Sequence, residues 1–199
     1  MNILCMADLH APNKNQIESI CSFSSSVDMV LWLGDNDEFA IEEISKKFRD
    51  KLHVGILGNH DLYDNLEPNG IINANKNHIQ KNEISIIGLE GSIKYKEIDN
   101  DSKFPSYSQG ESLILSERLP YADIIISHTS PYGIHEIDSD VHRGLYGILN
   151  FIQRHNPKYS IHGHQHINKV SIMENNTIVI GIYGASILKY RTGELIKIV

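Results

Sequence analysis

Residues 1–10 read MNILCMADLH. Ile3 to Ala7 is a short apolar run that stops abruptly at a polar residue, as a strand buried on both faces does. It delivers Asp8-x-His10. On a continuing strand, side chains two apart point the same way, so this pair is placed to grip one ion together. Residues 159–166, YSIHGHQH, repeat the device at the other end of the chain, where a β-prone segment leads into Gly163-His164-x-His166. Between them Met29 to Leu33 runs into Gly34-Asp35, Val54 to Leu57 into Gly58-Asn59-His60-Asp61, and Asp123 to Ser127 into His128. The donors are carboxylates, an amide and imidazoles, with no thiolate among them. At strand ends they sit on loops that a sheet delivers to one shared place. Gly34, Gly58 and Gly163 read as tight backbone turns beside the donors.

Helical segments fill the intervals. After Asp37, the residues Ile41, Ile44 and Phe48 mark one face, with acids at the start and Lys46, Lys47, Arg49 and Lys51 at the end, where they complement the helix dipole. Leu145, Ile148, Leu149 and Ile152 follow helical spacing, and Pro157 lies beyond the helix end. Gly91 to Gly110 shows neither helical nor strand period and reads as a surface excursion. From Tyr159 onward, turn candidates at 174–177 and 191–194 suggest hairpins that complete a second sheet. The pattern alone supports alternating α and β followed by a hairpin-rich end.

The 199 residues fit one domain spanning 1–199. With 25 acidic against 18 basic residues, the net charge of −7 gives no overall positive field to draw the chain to nucleic acid or anionic lipid. No apolar run approaches the roughly 20 residues needed to span a bilayer. A cleaved leader is not expected, because its removal would take Asp8 with it. Cys5 and Cys21 have no partner spacing and read as reduced thiols, which predicts a cytoplasmic protein.

From residue 8 to residue 166, the five donor clusters in this order resemble the calcineurin-like metallophosphoesterase family, as a small member without a cap domain. The resemblance implies an α/β fold: a four-layer α/β/β/α sandwich of two mixed sheets with helices outside. It also implies two divalent metal ions, one held by Asp8, His10, Asp35 and His166, the other by Asp35, Asn59, His128 and His164. The shared Asp35 suits a bridging role, since its two oxygens reach two cations. Manganese, iron, zinc, cobalt and nickel all suit this donor set, and the resemblance favours manganese. It further implies hydrolysis of a phosphomonoester or phosphodiester by a metal-bridging hydroxide.

In the same resemblance His60 is the histidine that stabilises the transferring phosphoryl group or protonates the leaving oxygen. Either Asp37 or Glu38 is placed to hold its ring, and Asp61 to orient or cap the loop. Asn59 and His60 would also meet the substrate. His142 and Arg143 open the helix after the His128 loop, where Arg143 either clamps a phosphoryl oxygen or lies on the surface. The remaining histidines, among them His53, His135 and His162, read as structural or exposed. The expected partner is a small, nucleotide-like phosphoester. A nuclease of the same fold is the second reading, disfavoured by the acidic balance. A non-catalytic scaffold, which would have lost donors, is the third.

Overall fold

The computed structural model describes residues 1–61, 65–94, 105–137 and 139–199. Their elements, in chain order, are β1 (Asn2–Ala7), α1 (Lys14–Cys21), β2 (Met29–Trp32), α2 (Glu38–Lys47), β3 (Leu52–Gly55), β4 (Ile72–Asn73), β5 (Ile79–Lys81), β6 (Ile84–Leu89), β7 (Ser92–Ile93) and β8 (Ser106–Tyr107). They continue with α3 (Gln109–Arg118), β9 (Ile124–Ser127), α4 (Tyr146–His155), β10 (Tyr159–His162), β11 (Lys169–Ile172), β12 (Ile178–Gly181), β13 (Gly184–Lys189) and β14 (Glu194–Lys197).

Two mixed six-stranded sheets result, ordered β14-β13-β1-β2-β3-β4 and β11-β12-β10-β9-β6-β5. In the first, β1 to β4 are parallel; in the second, β6, β9, β10 and β12 are. Strand periodicity then sorts the side chains. Ile3, Cys5, Ala7, Leu31, Ile126 and Ile161 point between the sheets and form the central core. Leu4, Met6, Val30 and Trp32 point outward and meet Ile17 and Ile20 of α1 and Ile41 and Ile44 of α2. On the far side Ile87 and Ile125 meet Ile148, Phe151 and Ile152 of α4. Each such side chain, fully buried, contributes about 1.5–3 kcal/mol. The architecture is therefore the expected four layers.

The helices begin where short polar side chains satisfy their free N–H groups. Asn13 with Gln16 and Ser108 with Glu111 form capping boxes, and Asp37 caps α2. Asn156, in the left-handed region, closes α4 ahead of Pro157.

Three sequence expectations need correction. The segment 91–110 is not simply an excursion: its ends pair as β7 and β8, and α3 begins at Gln109. Residues 95–104 lie outside the described residues. The hairpin β13–β14 completes the first sheet, because β13 pairs with β1 across the full length of both strands; only β11–β12 extends the second. The chain thus returns at its end to the strand with which it began. Finally, the helix after the His128 loop starts at Tyr146, not at His142. A single 3-10 turn spans Asp140–His142; Gly144 then lies against the backbone of Pro131 and Leu145 bridges to Pro131, so the chain is extended from Arg143 to Leu145.

One polar contact lies inside the outer core. Trp32 Nε1–H on β2 donates to His53 Nδ1 on β3 at 3.2 Å, and His53 Nε2–H then donates to the Phe48 carbonyl at 3.0 Å. Burial is the main cause that holds His53 below its ordinary pKa, with the Phe48 carbonyl opposing. A lowered folded pKa contributes stability in full above the unfolded value, about 6.5, and the contribution is lost as pH falls below it. Replacing His53 with Leu should therefore cost about 1–3 kcal/mol near about pH 7.5, by stranding the indole donor, and less near about pH 5.5. Urea unfolding followed through Trp32, the sole tryptophan, measures both; a penalty that grows on acidification contradicts the account.

Candidate metal centre

The donors emerge where parallel strands end. Asp8 follows β1 directly, Asp35 lies just past β2, Asn59 past β3, His128 directly after β9, and His164 past β10. The ligating atoms of Asp8, His10 and His166 lie within 4.8 Å of one another, and so do those of Asp35, His128 and His164. Asn59 joins the second group, its Oδ1 being 3.0 Å from His128 Nε2. All seven residues predicted as ligands are thus gathered at one end of the sandwich.

They do not meet in the way the spacing suggested. Asp8 and His10 are not on a continuing strand: β1 has ended, and Asp8 turns sharply at φ 55°. Asp35 (φ 54°), His164 (φ 63°) and His166 (φ 49°) also occupy the left-handed region. Non-glycine residues there cost about 1–3 kcal/mol each and persist only when their surroundings over-determine them. The surroundings here are other donor loops. A Cβ on Gly58 would collide with the Asp35 carboxylate, and one on Gly163 would lie 2.9 Å from Asp8 Oδ2.

Hydrogen bonds fix which atom of each donor faces inward. Asp8 Oδ2 accepts the His164 backbone N–H at 2.8 Å, while Oδ1, also buried, has no hydrogen-bond partner among the described residues. That orphaned oxygen lies 3.6 Å from His166 Nε2 and 4.0 Å from His10 Nε2. His128 Nδ1–H donates to the Leu33 carbonyl at 2.8 Å, which turns Nε2 toward Asp35 Oδ2, 3.2 Å away. His164 Nε2–H donates to the Val141 carbonyl at 2.8 Å and leaves Nδ1 as its free lone pair. Such outer partners fix the tautomer and ring orientation of metal-binding histidines.

The electrostatics point the same way. Burial opposes charge on His128, but the Asp35 carboxylate overrules it and lifts the imidazole to about 9. Burial likewise opposes charge on Asp35, and His128 with the His60 backbone N–H brings it down to about 2. The pocket therefore draws positive charge to the gap between them. His164, buried and facing His128, is held down to about 4, so its ring stays neutral. Oxygen and imidazole donors, a buried oxygen without a partner and a gap that favours cations fit divalent metals.

The residues around the donors divide differently. Asp61 Oδ2 accepts from both Asp35 N–H (3.0 Å) and Gly58 N–H (2.7 Å) and so ties two donor loops together. Asp37 is engaged in capping α2 through Ala40 N–H, and Glu38 lines a groove beside Lys46 and Arg49. Among the described residues, no hydrogen bond joins either acid to the His60 ring. His60 is exposed, and its backbone N–H is 2.8 Å from Asp35 Oδ1. Arg143 precedes α4 and pairs with Asp140 at 3.7 Å, so no helix N-terminus stands behind it.

Sequence reading passed over Gln165, which lies between His164 and His166. Its buried amide donates to Ser130 Oγ and the His142 carbonyl and accepts from Ile137 N–H, locking the loop after β9 onto the donor loop. Its sole signal is a polar residue interposed between two donor histidines.

The sequence pattern of the calcineurin-like phosphoesterase matches residues 1–168. The chain belongs to this family. No curated protein matches it significantly. Among solved structures, this family member superposes on the protein TT1561 of Thermus thermophilus with TM-score 0.67 at 14% identity, covering 98% of this chain and 96% of that one. An archaeal phosphodiesterase gives TM-score 0.58 at 15% identity, over 98% and 97% of the two chains. A dimetal phosphatase from Danio rerio gives 0.57 at 12% identity, over 94% and 91%. At these identities the likeness is one of fold. Among the described residues, no helix is long and apolar enough to cross a membrane.

The close approach of the donor loops can be tested directly. Gly58→Ala should weaken divalent-metal binding about tenfold or more, by titration calorimetry, while circular dichroism stays native. Unchanged affinity would show that the contact between Gly58 and Asp35 does not shape the site.

Proposed function

We propose that the chain is a dinuclear-metal phosphoesterase that hydrolyses a small phosphomonoester or phosphodiester. The observation that carries this reading is the pair of adjoining donor groups, with Asp8 Oδ1 buried between two imidazoles and, among the described residues, without a hydrogen bond. Asp8, His10, His166 and Asp35 would hold one cation, and Asp35, Asn59, His128 and His164 the other. When bound, such a pair supplies Lewis acidity to phosphoryl oxygens and makes hydroxide available from water near neutral pH.

The chain's own residues do the rest. Leu33 and Val141 carbonyls keep His128 and His164 turned so that Nε2 of the one and Nδ1 of the other face the site. Asp61 holds Asp35 and the Gly58 turn together, so the carboxylate shared between the groups does not drift. His60, anchored by its backbone to Asp35 but with an exposed ring, is placed to steady a phosphoryl oxygen or give a proton to the departing one. Proteins of this fold described as a phosphodiesterase and as a dimetal phosphatase accord with either ester class. The acidic balance favours a small substrate over a polyanion.

Paired variants separate the two kinds of residue. Asp35→Asn should abolish turnover and lower metal content. His60→Ala should lower kcat about a hundredfold or more with both metals retained. Turnover on aryl and nucleotide esters, with metal analysis of the same samples, checks both; equal metal loss in the two variants contradicts the role given to His60.

A further inference from the structure

A short turn on the loop after β9 is fastened to the donor loop after β10. In that turn, Asp140–His142, the Val141 carbonyl accepts His164 Nε2–H at 2.8 Å and the His142 carbonyl accepts the Gln165 amide at 2.6 Å. On the turn's side both ties are backbone atoms, so they fix where residue 142 stands whatever its side chain. The His142 ring centroid lies 5.0 Å from that of His164, with the planes tilted by 34°, and 6.4 Å from that of His166, edge-on at 69°. His164 belongs to one donor group and His166 to the other. A single imidazole therefore borders both groups while belonging to neither.

That ring has a donor to spare. Nδ1 lies 3.2 Å from Ser139 Oγ, and the Ser139 hydroxyl has no other acceptor among the described residues. The hydroxyl therefore donates to Nδ1, which puts the ring proton on Nε2. Among the described residues Nε2–H makes no hydrogen bond, although the side chain is half-buried. The buried histidines outside the donor set behave otherwise: His53, His135 and His162 are each engaged at both nitrogens. Arg143, the next residue along the chain, is turned to Asp140 at 3.7 Å.

We propose that His142 is a binding residue for the substrate's phosphoryl group, its Nε2–H donating to a non-bridging oxygen of the phosphoryl group held at the two donor groups. This rests on the phosphoesterase reading of those groups. A phosphoryl oxygen is a strong acceptor, and an imidazole N–H supplies a charge-assisted hydrogen bond to it. The contact adds to that of His60, which is tied to Asp35 through its backbone, whereas His142 is held against His164 and His166. The phosphoryl group would thus meet one side chain from the loop after β3 and another from the loop after β9. Because the turn is fastened by its carbonyls, the ring of His142 can be exchanged without untying the donor loop.

Titration of the zinc-loaded full chain with inorganic phosphate tests this without requiring turnover. With nitrogen-15 in the histidine rings, the His142 Nε2 resonance should shift saturably as phosphate is added. By calorimetry, His142→Phe, which keeps a ring against His164 but loses the N–H, should bind phosphate about tenfold or more weakly, with zinc content unchanged. His142→Gln, which restores an N–H near the place of Nε2, should recover most of that affinity. Absence of phosphate binding by the unsubstituted protein, unchanged affinity in His142→Phe, or equally weak binding by the Phe and Gln variants overturns the proposal. Loss of zinc from His142→Phe also overturns it, since the residue would then support the metals. The same samples are assayed on an aryl phosphate, where His142→Phe should lower kcat/KM by a similar factor. Phosphate binding at His142 with no turnover of any ester would defeat the phosphoesterase reading and leave the contact standing. Turnover by His142→Phe equal to that of the unsubstituted protein would defeat the contact and leave the reading standing.

Discussion

Asp8 and Asp35 are only 3% and 5% exposed, and burying two carboxylates at adjoining strand ends is the constraint on which the rest of the site depends. An uncompensated buried charge costs several kcal/mol. The fold compensates part of it with backbone N–H groups, from His164 to Asp8 and from His60 to Asp35. It compensates more with His128, which stands against Asp35. One oxygen of Asp8 is left over. A site that buries negative charge and stops short of satisfying it is arranged for a cation supplied from outside.

The layers serve that arrangement. Two sheets stacked on a common core bring the ends of β1, β2 and β3 opposite those of β9 and β10, so donors more than a hundred residues apart in sequence converge. The left-handed turns at Asp8, Asp35, His164 and His166 are the local cost of directing side chains across the gap between sheets. Interlocking glycines and the Asp61 tie keep those turns in place.

Much of this was legible in the sequence. An apolar run cut short by a donor is both a strand and a ligand loop, so β1, β2, β9 and the donors could be read together. The α3 helix could not, because its buried face is Ser112 and Ser116, while Leu113, Ile114 and Leu115 are consecutive and show no helical spacing. Hairpin signals identified β13–β14 as a pair but carried no information about which sheet receives it. The placement of Arg143 failed for a tertiary reason, the packing of Gly144 on Pro131. His135 and His162, and the loop lock by Gln165, depend on contacts between segments 23 to 35 residues apart, for which spacing offers no sign.

The central claim is that two cations share Asp35 at the junction of the sheets. Anomalous X-ray diffraction from crystals of manganese-saturated protein measures this most directly. The account predicts two peaks, one among Asp8, His10 and His166 and one among Asn59, His128 and His164, each within bonding distance of Asp35. A single peak, or peaks away from these side chains, would contradict it.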